Sequence, residues 1–328
     1  MSRPRCSFHI LPNIHGNALT SQLQSQNVFT RDTLFRHIYV PHAATMLRCT
    51  CCLYTVAEVV HTLPEGKPVW GVTSLADEVY LLRKKERDQV EVYDVITYRL
   101  QRTLTLPDIP GFTDMTSCEH YRCLYIANYI ADSIHRLDVG LHGAAAEWPV
   151  NDSPRGLSVN AAHNVLVTCI DVRKIKEFSS HGDLVRELTV PDDVVNPWHA
   201  IQTRNGEFIV CHGKVGDAVH RVCKMSVDGH HIVQSHGGQQ GSATGHYKVP
   251  FRLAVDNNEF VFVVDVGNGR VTLLSPTLGY IRQVVPGDEV KWWPDRMCVD
   301  LYRRRLYVTA NDLKYGKYTA GRVVVFNV

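Results

Sequence analysis

The sequence has no apolar run long enough to cross a membrane, and its formal net charge is only +2. A spanning helix needs about 20 predominantly apolar residues, whereas the N-terminal segment offers only the short stretch from Phe8 to Leu11. That stretch is also too weak for a secretory signal peptide. The small net charge gives no overall field that would attract nucleic acid or a membrane surface. We therefore expect a soluble, cytoplasmic protein with neither a membrane nor a DNA partner.

The sequence also lacks the motifs of the common hydrolases and nucleotide-binding enzymes: G-x-S-x-G, H-E-x-x-H and the Walker loop are absent. Cys49, Cys51 and Cys52 form a C-x-C-C cluster, but no second cysteine pair follows it, as a zinc knuckle requires. Cys118 and Cys123 flank a four-residue turn and are expected to face each other across a hairpin. In a cytosolic protein a disulfide between them is the less favoured outcome. These absences predict a non-catalytic protein without a cofactor.

A four-strand pattern is repeated along most of the chain, and it is clearest between Val249 and Val285. Short runs rich in Val and Phe alternate there with Asn-Asn, Gly-Asn-Gly and Ser-Pro-Thr turns, which is typical of consecutive antiparallel strands. The same pattern follows six prolines spaced 42 to 53 residues apart: Pro68, Pro110, Pro154, Pro197, Pro250 and Pro294.

Six four-stranded repeats of this period predict an all-β fold, a six-bladed β-propeller with four-stranded antiparallel blades. A pair of β-sandwiches is the alternative, but it does not explain the constant period. The sixth repeat reaches Val328 without a fourth strand, and the segment from Leu53 to Leu63 can supply that strand and close the ring. We expect an irregular N-terminal arm over residues 1–52 and the propeller over residues 53–328.

The fifth repeat resembles the NHL-repeat family of six-bladed propellers. Its segments Pro250-Phe-Arg-Leu-Ala-Val-Asp256, Val261-Phe-Val-Val-Asp265 and Asn268-Gly-Arg-Val271 are similar to the family pattern P-x-G-[IVL]-A-[VL]-D, a strand ending in Asp, and N-x-R-[VI]. The resemblance covers roughly residues 53 to 328 and is weak in the first and fourth repeats. It implies a propeller like that of tripartite-motif NHL proteins, but the RING, B-box and coiled-coil modules are not present. The resemblance thus implies substrate recruitment in a ubiquitin-ligase context rather than ligase chemistry.

Propeller strands alternate in direction, so the start of each first strand and the end of each second strand open on the same face. We expect the binding face to surround the mouth of the central channel there. Its predicted members are cationic, aromatic or polar: Trp70, Arg83, Phe112, Asn128, Arg173, Trp198, His199, His212, Arg252, Asp265, Arg296 and Asn311. Nearby residues add to the face: Lys85, Arg87, Trp292, Trp293, Tyr315 and Tyr318.

Three functions fit such a face. Cations mixed with aromatics suit a protein or peptide partner, which is the favoured prediction, and they also suit single-stranded RNA, a use that the family resemblance implies. The third is a metal-dependent lyase or hydrolase in the channel, with His199, His212 and Asp265 as candidate Zn²⁺ ligands. Only one blade offers a His at the first-strand position, which argues against that third function. Arg252 and Asp265 belong to one blade and are candidates to pair with each other.

Overall fold

The computed structural model describes residues 57–84, 88–107, 110–140, 145–287, 293–314 and 317–328. In these ranges the chain forms six four-stranded antiparallel sheets, the blades of a six-bladed β-propeller. The predicted fold class is confirmed. The arm over residues 1–52 and the cysteines at 49, 51 and 52 lie outside the described residues, as do Lys85, Arg87, Trp292 and Tyr315. The division of the chain at residue 52 stays a prediction.

Strand β1 (Glu58–Thr62) precedes the blades, and each blade then runs from its inner to its outer strand. Blades 1 to 3 contain β2 (Val69–Leu75), β3 (Glu78–Arg83), β4 (Gln89–Asp94), β5 (Leu100–Thr105), β6 (Phe112–Cys118), β7 (Cys123–Asn128), β8 (Ser133–Asp138), β9 (Ala145–Pro149), β10 (Pro154–Val159), β11 (Val165–Cys169), β12 (Lys174–Phe178) and β13 (Leu184–Thr189). Blades 4 to 6 contain β14 (Pro197–Gln202), β15 (Phe208–His212), β16 (Val219–Met225), β17 (Ile232–Gln239), β18 (Pro250–Val255), β19 (Val261–Asp265), β20 (Arg270–Leu274), β21 (Tyr280–Val285), β22 (Trp293–Asp300), β23 (Arg305–Lys314) and β24 (Lys317–Asn327).

The ring is closed by the N-terminal strand, as the sequence predicts. β1 pairs with β24 in antiparallel register, from Glu58 opposite Asn327 to Thr62 opposite Val324. Just beyond β1, the buried Leu63 donates its backbone N–H to the carbonyl oxygen of Val323 at 2.8 Å. The outer strand of blade 6 therefore comes from the start of the propeller, and it joins the first repeat to the last.

The hydrophobic core lies between the blades. Every residue of β11 and of β19 is buried, because a second strand is covered on both faces by neighbouring blades. In the described part of the chain, the buried side chains form six clusters, and each cluster is shared by two adjacent blades. The cluster between blades 6 and 1 contains Tyr307 and Val69, so the series of clusters is also closed. Each fully buried Val, Leu, Ile or Phe contributes about 1.5–3 kcal/mol.

A β-bulge lies near the start of every inner strand. In β14 the register passes from Pro197 opposite His212 to His199 opposite Cys211, so Trp198 is the extra residue. The inner strands of adjacent blades approach closely at this level. A Cβ atom on Gly156 would lie 2.5 Å from the carbonyl oxygen of Trp198, which is why blade 3 requires glycine at this position.

Cys118 and Cys123 lie directly opposite each other on β6 and β7. Both thiols are buried and free. The predicted cross-hairpin arrangement is confirmed, and the pair is reduced.

Candidate functional site

The face on which inner strands begin and second strands end is called the entry face here, and the opposite face the exit face. The structure brings the predicted residues together on the entry side of the channel. It buries most of them, however: Arg83, Phe112, Asn128, His199, His212, Arg252, Asp265, Arg296 and Asn311 have almost no accessible surface. Trp70, Arg173 and Trp198 stay partly exposed. Nine of the twelve side chains are therefore buried beneath the entry face, and their assignment to a binding face stays a prediction.

The residues at the ends of the second strands hold the entry loops in place. Asn311 accepts a hydrogen bond from the backbone N–H of Val69 at 2.8 Å and donates to the Val69 carbonyl oxygen at 2.9 Å. Arg83 donates to the carbonyl oxygens of Pro64, Lys67 and Gly321. These buried backbone groups need partners, because an unpaired one costs about 1–3 kcal/mol. The side chains thus serve the loops that lead into blade 1.

Asn128 has the same role within its own loop. Its side-chain oxygen accepts hydrogen bonds from the backbone N–H groups of Ile130 (3.1 Å) and Ala131 (3.0 Å). Phe112 is buried and packs edge-on against His135, with ring centroids 5.1 Å apart. Neither side chain is available to a partner.

Asp265 is bound on three sides by its own blade and the loop before it. Its carboxylate accepts hydrogen bonds from the Lys248 backbone N–H (2.7 Å), from Asn268 (2.7 Å) and from Arg270 Nε (3.0 Å). Burial nevertheless raises the pKa of Asp265 to about 6, because it outweighs these favourable contacts. The predicted pairing of Asp265 with Arg252 is wrong, since Arg270 takes that place.

The two candidate histidine ligands also have protein partners. His199 Nδ1 accepts a hydrogen bond from the Leu253 backbone N–H at 3.3 Å. The proton of the neutral ring is therefore on Nε2, which donates to the Leu157 carbonyl oxygen at 2.8 Å. Arg221 Nε donates to His212 Nε2 at 2.9 Å. Burial, reinforced by the neighbouring arginine charges, lowers the pKa of each imidazole to about 4. Both are therefore neutral at pH 7.

The three candidate ligands do not meet at one point. Asp265 is engaged with Arg270, and His199 uses both ring nitrogens on protein neighbours. His212 uses Nε2 on Arg221, while its buried Nδ1 has no hydrogen-bond partner. Within the described ranges, no group of three or more His, Cys, Asp or Glu side chains is arranged to hold a metal ion.

A buried charge cluster, missed by the sequence analysis, closes the entry end of the channel. Asp114 of blade 2 lies 3.4 Å from Arg252 Nη2 of blade 5 and 3.2 Å from Arg296 Nε of blade 6. It also accepts a hydrogen bond from the Leu157 backbone N–H of blade 3 at 2.8 Å. One carboxylate therefore links four blades across the channel. Burial and the nearby Arg296 charge lower the pKa of Arg252 to about 10.

Asp114 was missed because of register. In blades 3 to 5 the strand begins at the repeat proline, and the residues two positions later, Gly156, His199 and Arg252, follow the bulge. In blade 2 the strand begins two residues after Pro110, so the equivalent position is Asp114 and not Phe112. In blade 1 it is Gly71 and not Trp70. A signal was present, because Asn128 follows its proline by 18 residues, whereas Asp265 follows its proline by 15.

Aromatic rings cover this charge cluster on the entry side. The Phe251 ring lies 4.7 Å from the Trp198 ring and packs against the guanidinium groups of Arg252 (4.5 Å) and Arg296 (4.9 Å). Trp70 lies over the other side of Arg296 at 6.0 Å. Cation–π contacts of this kind hold the arginines in place when they are desolvated.

Exposed apolar side chains surround the aromatic cover. They lie in the loops after the second strands of blades 2 to 4, at the start of β22 and at the end of β23: Ile130, Val172, Val215, Trp293 and Leu313. Val215 is 77 % exposed and lies in residues 212–219, which with residues 237–247 are the insertions that make the fourth repeat irregular. We call this set the apolar loop ring. The sequence analysis named only Trp293 among its members as a face residue, because isolated Ile, Val and Leu residues in turns give no pattern.

The cations of the entry-face loops are mostly paired. Arg173 Nη2 lies 3.1 Å from Asp192, and Arg221 Nη2 lies 2.5 Å from Asp193. The same holds for three lysines of other loops and strand ends, in the pairs Lys84–Asp88, Lys174–Glu187 and Lys314–Asp312. In the described parts of these loops, each of these cations therefore lies beside a carboxylate.

Comparison with known proteins shows the fold. No family model matches the chain, and no curated protein matches it. Among solved structures it is similar to Kuenenia stuttgartiensis hydrazine synthase, with a TM-score of 0.57 and 13 % identity over 82 % of this chain and 97 % of that one. It is also similar to a streptogramin B lyase, with a TM-score of 0.55 and 13 % identity over 83 % of this chain and 89 % of that one. For virginiamycin B lyase from Staphylococcus aureus the TM-score is 0.53 and the identity 12 %, over 81 % of this chain and 88 % of that one.

At 12–13 % identity these likenesses concern the fold alone. The chain is a six-bladed β-propeller, in agreement with its six four-stranded sheets. In the part of the chain that the structure describes, no helix is long and apolar enough to span a membrane.

Proposed function

We propose that this propeller is a non-catalytic binding module that recognises a protein or peptide partner on its entry face. The apolar loop ring supports this proposal most directly. Exposed apolar side chains from blades 2, 3, 4 and 6 surround one mouth of the channel, and apolar side chains rimmed by polar groups are typical of protein-binding surfaces. Partly exposed Trp198 and Trp70 lie inside the ring and belong to the residue types that most often dominate binding energy.

The paired charges favour a protein over RNA. Single-stranded RNA binding relies on a positive groove along the phosphate backbone, whereas Arg173, Arg221 and Lys314 each have a carboxylate partner. The RNA alternative predicts binding that weakens steeply as salt rises. A filter assay that detects no RNA retention at low salt removes it.

A relation to NHL propellers and a role in recruiting substrates for ubiquitination are part of the same proposal, and they rest on the sequence segments of blade 5. A cytoplasmic location agrees with the free, buried cysteines. The lyase or hydrolase alternative is less favoured, because His199, His212 and Asp265 are each engaged by other parts of the protein.

The proposal is tested by affinity capture with matched variants. Val215→Asp, alone or with Ile130→Asp, places charge in the apolar loop ring without touching the core. Ile96→Asp is the control, because Ile96 is equally exposed (76 % against 77 %) but lies in the β4–β5 turn on the exit face. We expect partners that are retained by the wild type and by Ile96→Asp, and lost at least about tenfold with the double variant.

The same set of captures contains the result that contradicts the proposal. If every protein retained by the wild type is retained equally by the double variant, or is lost equally with Ile96→Asp, the entry face is not the recognition surface.

A further inference from the structure

The central channel contains a cavity of about 430 Å³ that is separate from the entry face. All six inner strands line it, and each contributes at least two residues, among them Thr73, Met115, Leu157, Ile201, Leu253 and Met297. Its inner end is formed by Asp114, His199, Arg252 and Arg296, and Glu119 and Leu301 line its outer end in the exit-face turns. Among the described residues, those of the aromatic cover do not line it. The cavity is therefore a pocket that opens towards the exit face.

The inner end of this cavity is charged, and its two guanidinium cations have two carboxylates nearby: Asp114 in the lining and Asp295 outside it, 3.6 Å from Arg296 Nη1. The Oδ1 atom of Asp295 accepts from Thr309 (2.7 Å) and Asn311 (3.1 Å). His199 is neutral there, because its Nδ1 accepts a backbone N–H.

Both guanidinium groups have a buried Nε without a hydrogen-bond partner, but that of Arg296 lies 3.2 Å from the Asp114 carboxylate. Arg252 Nε is buried and has no hydrogen-bond partner, although the two Nη atoms bond to the carbonyl oxygens of Phe251 and Arg155. A buried, unpaired donor on a charged group is costly, and an anion that accepts from it satisfies the bond. Carboxylates suit this position because they accept two N–H bonds from one guanidinium.

The walls below the arginines suit a small organic group. Leu157, Ile201 and Leu253 supply apolar surface. The Ser158 hydroxyl donates to the carbonyl oxygen of Ala200 (2.7 Å), which leaves its oxygen as an acceptor, whereas Ser117 donates to the Ser74 carbonyl oxygen (2.9 Å) and accepts from Thr73 (2.7 Å). An anion head against Arg252 and a compact, mostly apolar tail between these walls match the lining.

We propose that this channel pocket binds a small organic carboxylate, with its carboxylate group against Arg252 and Arg296 and its tail directed to the exit face. The pocket and the entry-face recognition site are independent. Ligand binding therefore continues when partner binding is lost.

Benzoate is the probe, and benzamide, which has the same shape without the charge, is the matched control ligand. Isothermal titration calorimetry in chloride-free buffer measures the affinity of the full chain for each of the two ligands. We expect benzoate to bind at least about tenfold more tightly than benzamide, since charge-assisted bonds are roughly twice as strong as neutral ones. Thr116→Phe fills the pocket from a half-exposed lining position, and Arg252→Met removes the donor. Each is expected to weaken benzoate binding at least about tenfold.

Thr116→Phe keeps the test decisive if Arg252→Met fails to fold, because Thr116 takes no part in the charge cluster. Val215→Asp is expected to leave benzoate affinity unchanged, which separates this pocket from the proposed partner site. The inference is overturned if benzoate does not bind, if benzamide binds equally well, or if folded Thr116→Phe protein binds benzoate as the wild type does.

Discussion

Replacing Asp114 by Asn tests whether the charge cluster holds the ring together. The substitution keeps the size of the side chain and an oxygen that accepts from the Leu157 N–H, but it removes the carboxylate that lies close to both Arg252 (3.4 Å) and Arg296 (3.2 Å). All three side chains are at most 5 % exposed. Two buried cations are thus left close together without their shared counter-charge.

The expected cost follows from these distances. At an effective dielectric constant of about 20, each contact has a gross attraction of about 5 kcal/mol, and breaking a buried pair by removing one partner costs about 3–5 kcal/mol net. We expect Asp114→Asn to lower the free energy of unfolding by about 3–5 kcal/mol. That loss is a large part of the free energy of unfolding of a typical domain, which is about 5–15 kcal/mol.

Urea unfolding followed by tryptophan fluorescence measures this loss, and Asp138→Asn is the control. Asp138 pairs with Arg136 at 2.9 Å at a partly exposed site, so its replacement should cost no more than about 1 kcal/mol. The double variant Asp114→Asn/Arg296→Met should lose clearly less than the sum of the two single losses, because it removes a cation together with its counter-charge. A loss below about 1 kcal/mol for Asp114→Asn, or strict additivity in the double variant, would refute the assigned role.

Two further predictions concern other parts of the ring. Because burial holds the pKa of His199 near 4, below the ordinary value of 6.5, the stability linked to this neutral imidazole is complete above pH 6.5 and is lost as the pH falls towards 4. Between pH 6.5 and 5 the loss of unfolding free energy amounts to about 2 kcal/mol. Urea titrations at several pH values should show that the stability of His199→Gln depends less on pH than that of the wild type. An equal pH dependence in both proteins would contradict this prediction. Leu63→Ala should destabilise the protein by about 2–5 kcal/mol, because Leu63 is fully buried where the N-terminal segment meets blade 6. Val60→Ala in the exposed part of β1 should cost less than about 0.5 kcal/mol, and similar losses for both variants would mean that the closing segment is not packed as described.

The fold could be predicted because its signal is repeated. Six copies of a four-strand pattern identify the propeller even where one copy, such as blade 4 with its insertions, is irregular. Ring closure followed from the same count, since the sixth copy lacked a strand that residues before the first copy could supply. Among the described residues that strand spans Glu58–Thr62, in agreement with the predicted topology.

The site could not be predicted in the same way, because accessibility depends on contacts between distant residues. Asn311 and Val69 are 242 positions apart, yet two hydrogen bonds join them. A polar residue at the end of a strand is as consistent with an exposed ligand contact as with such a bond, and the sequence does not separate the two cases. The single-residue bulges add a second difficulty, because they decide which side chain reaches the channel.

The buried arginines also determine where recognition can take place. Arg252 and Arg296 are covered by Phe251 and Trp70 on the entry side and held by Asp114 below, so they provide charge to the channel and little to the entry face. A partner on that face therefore meets the loops, and above all exposed Val215 and its neighbours in the apolar loop ring. Selectivity for a partner would accordingly change with the loop residues, while changes to the arginines would act through stability and the channel pocket.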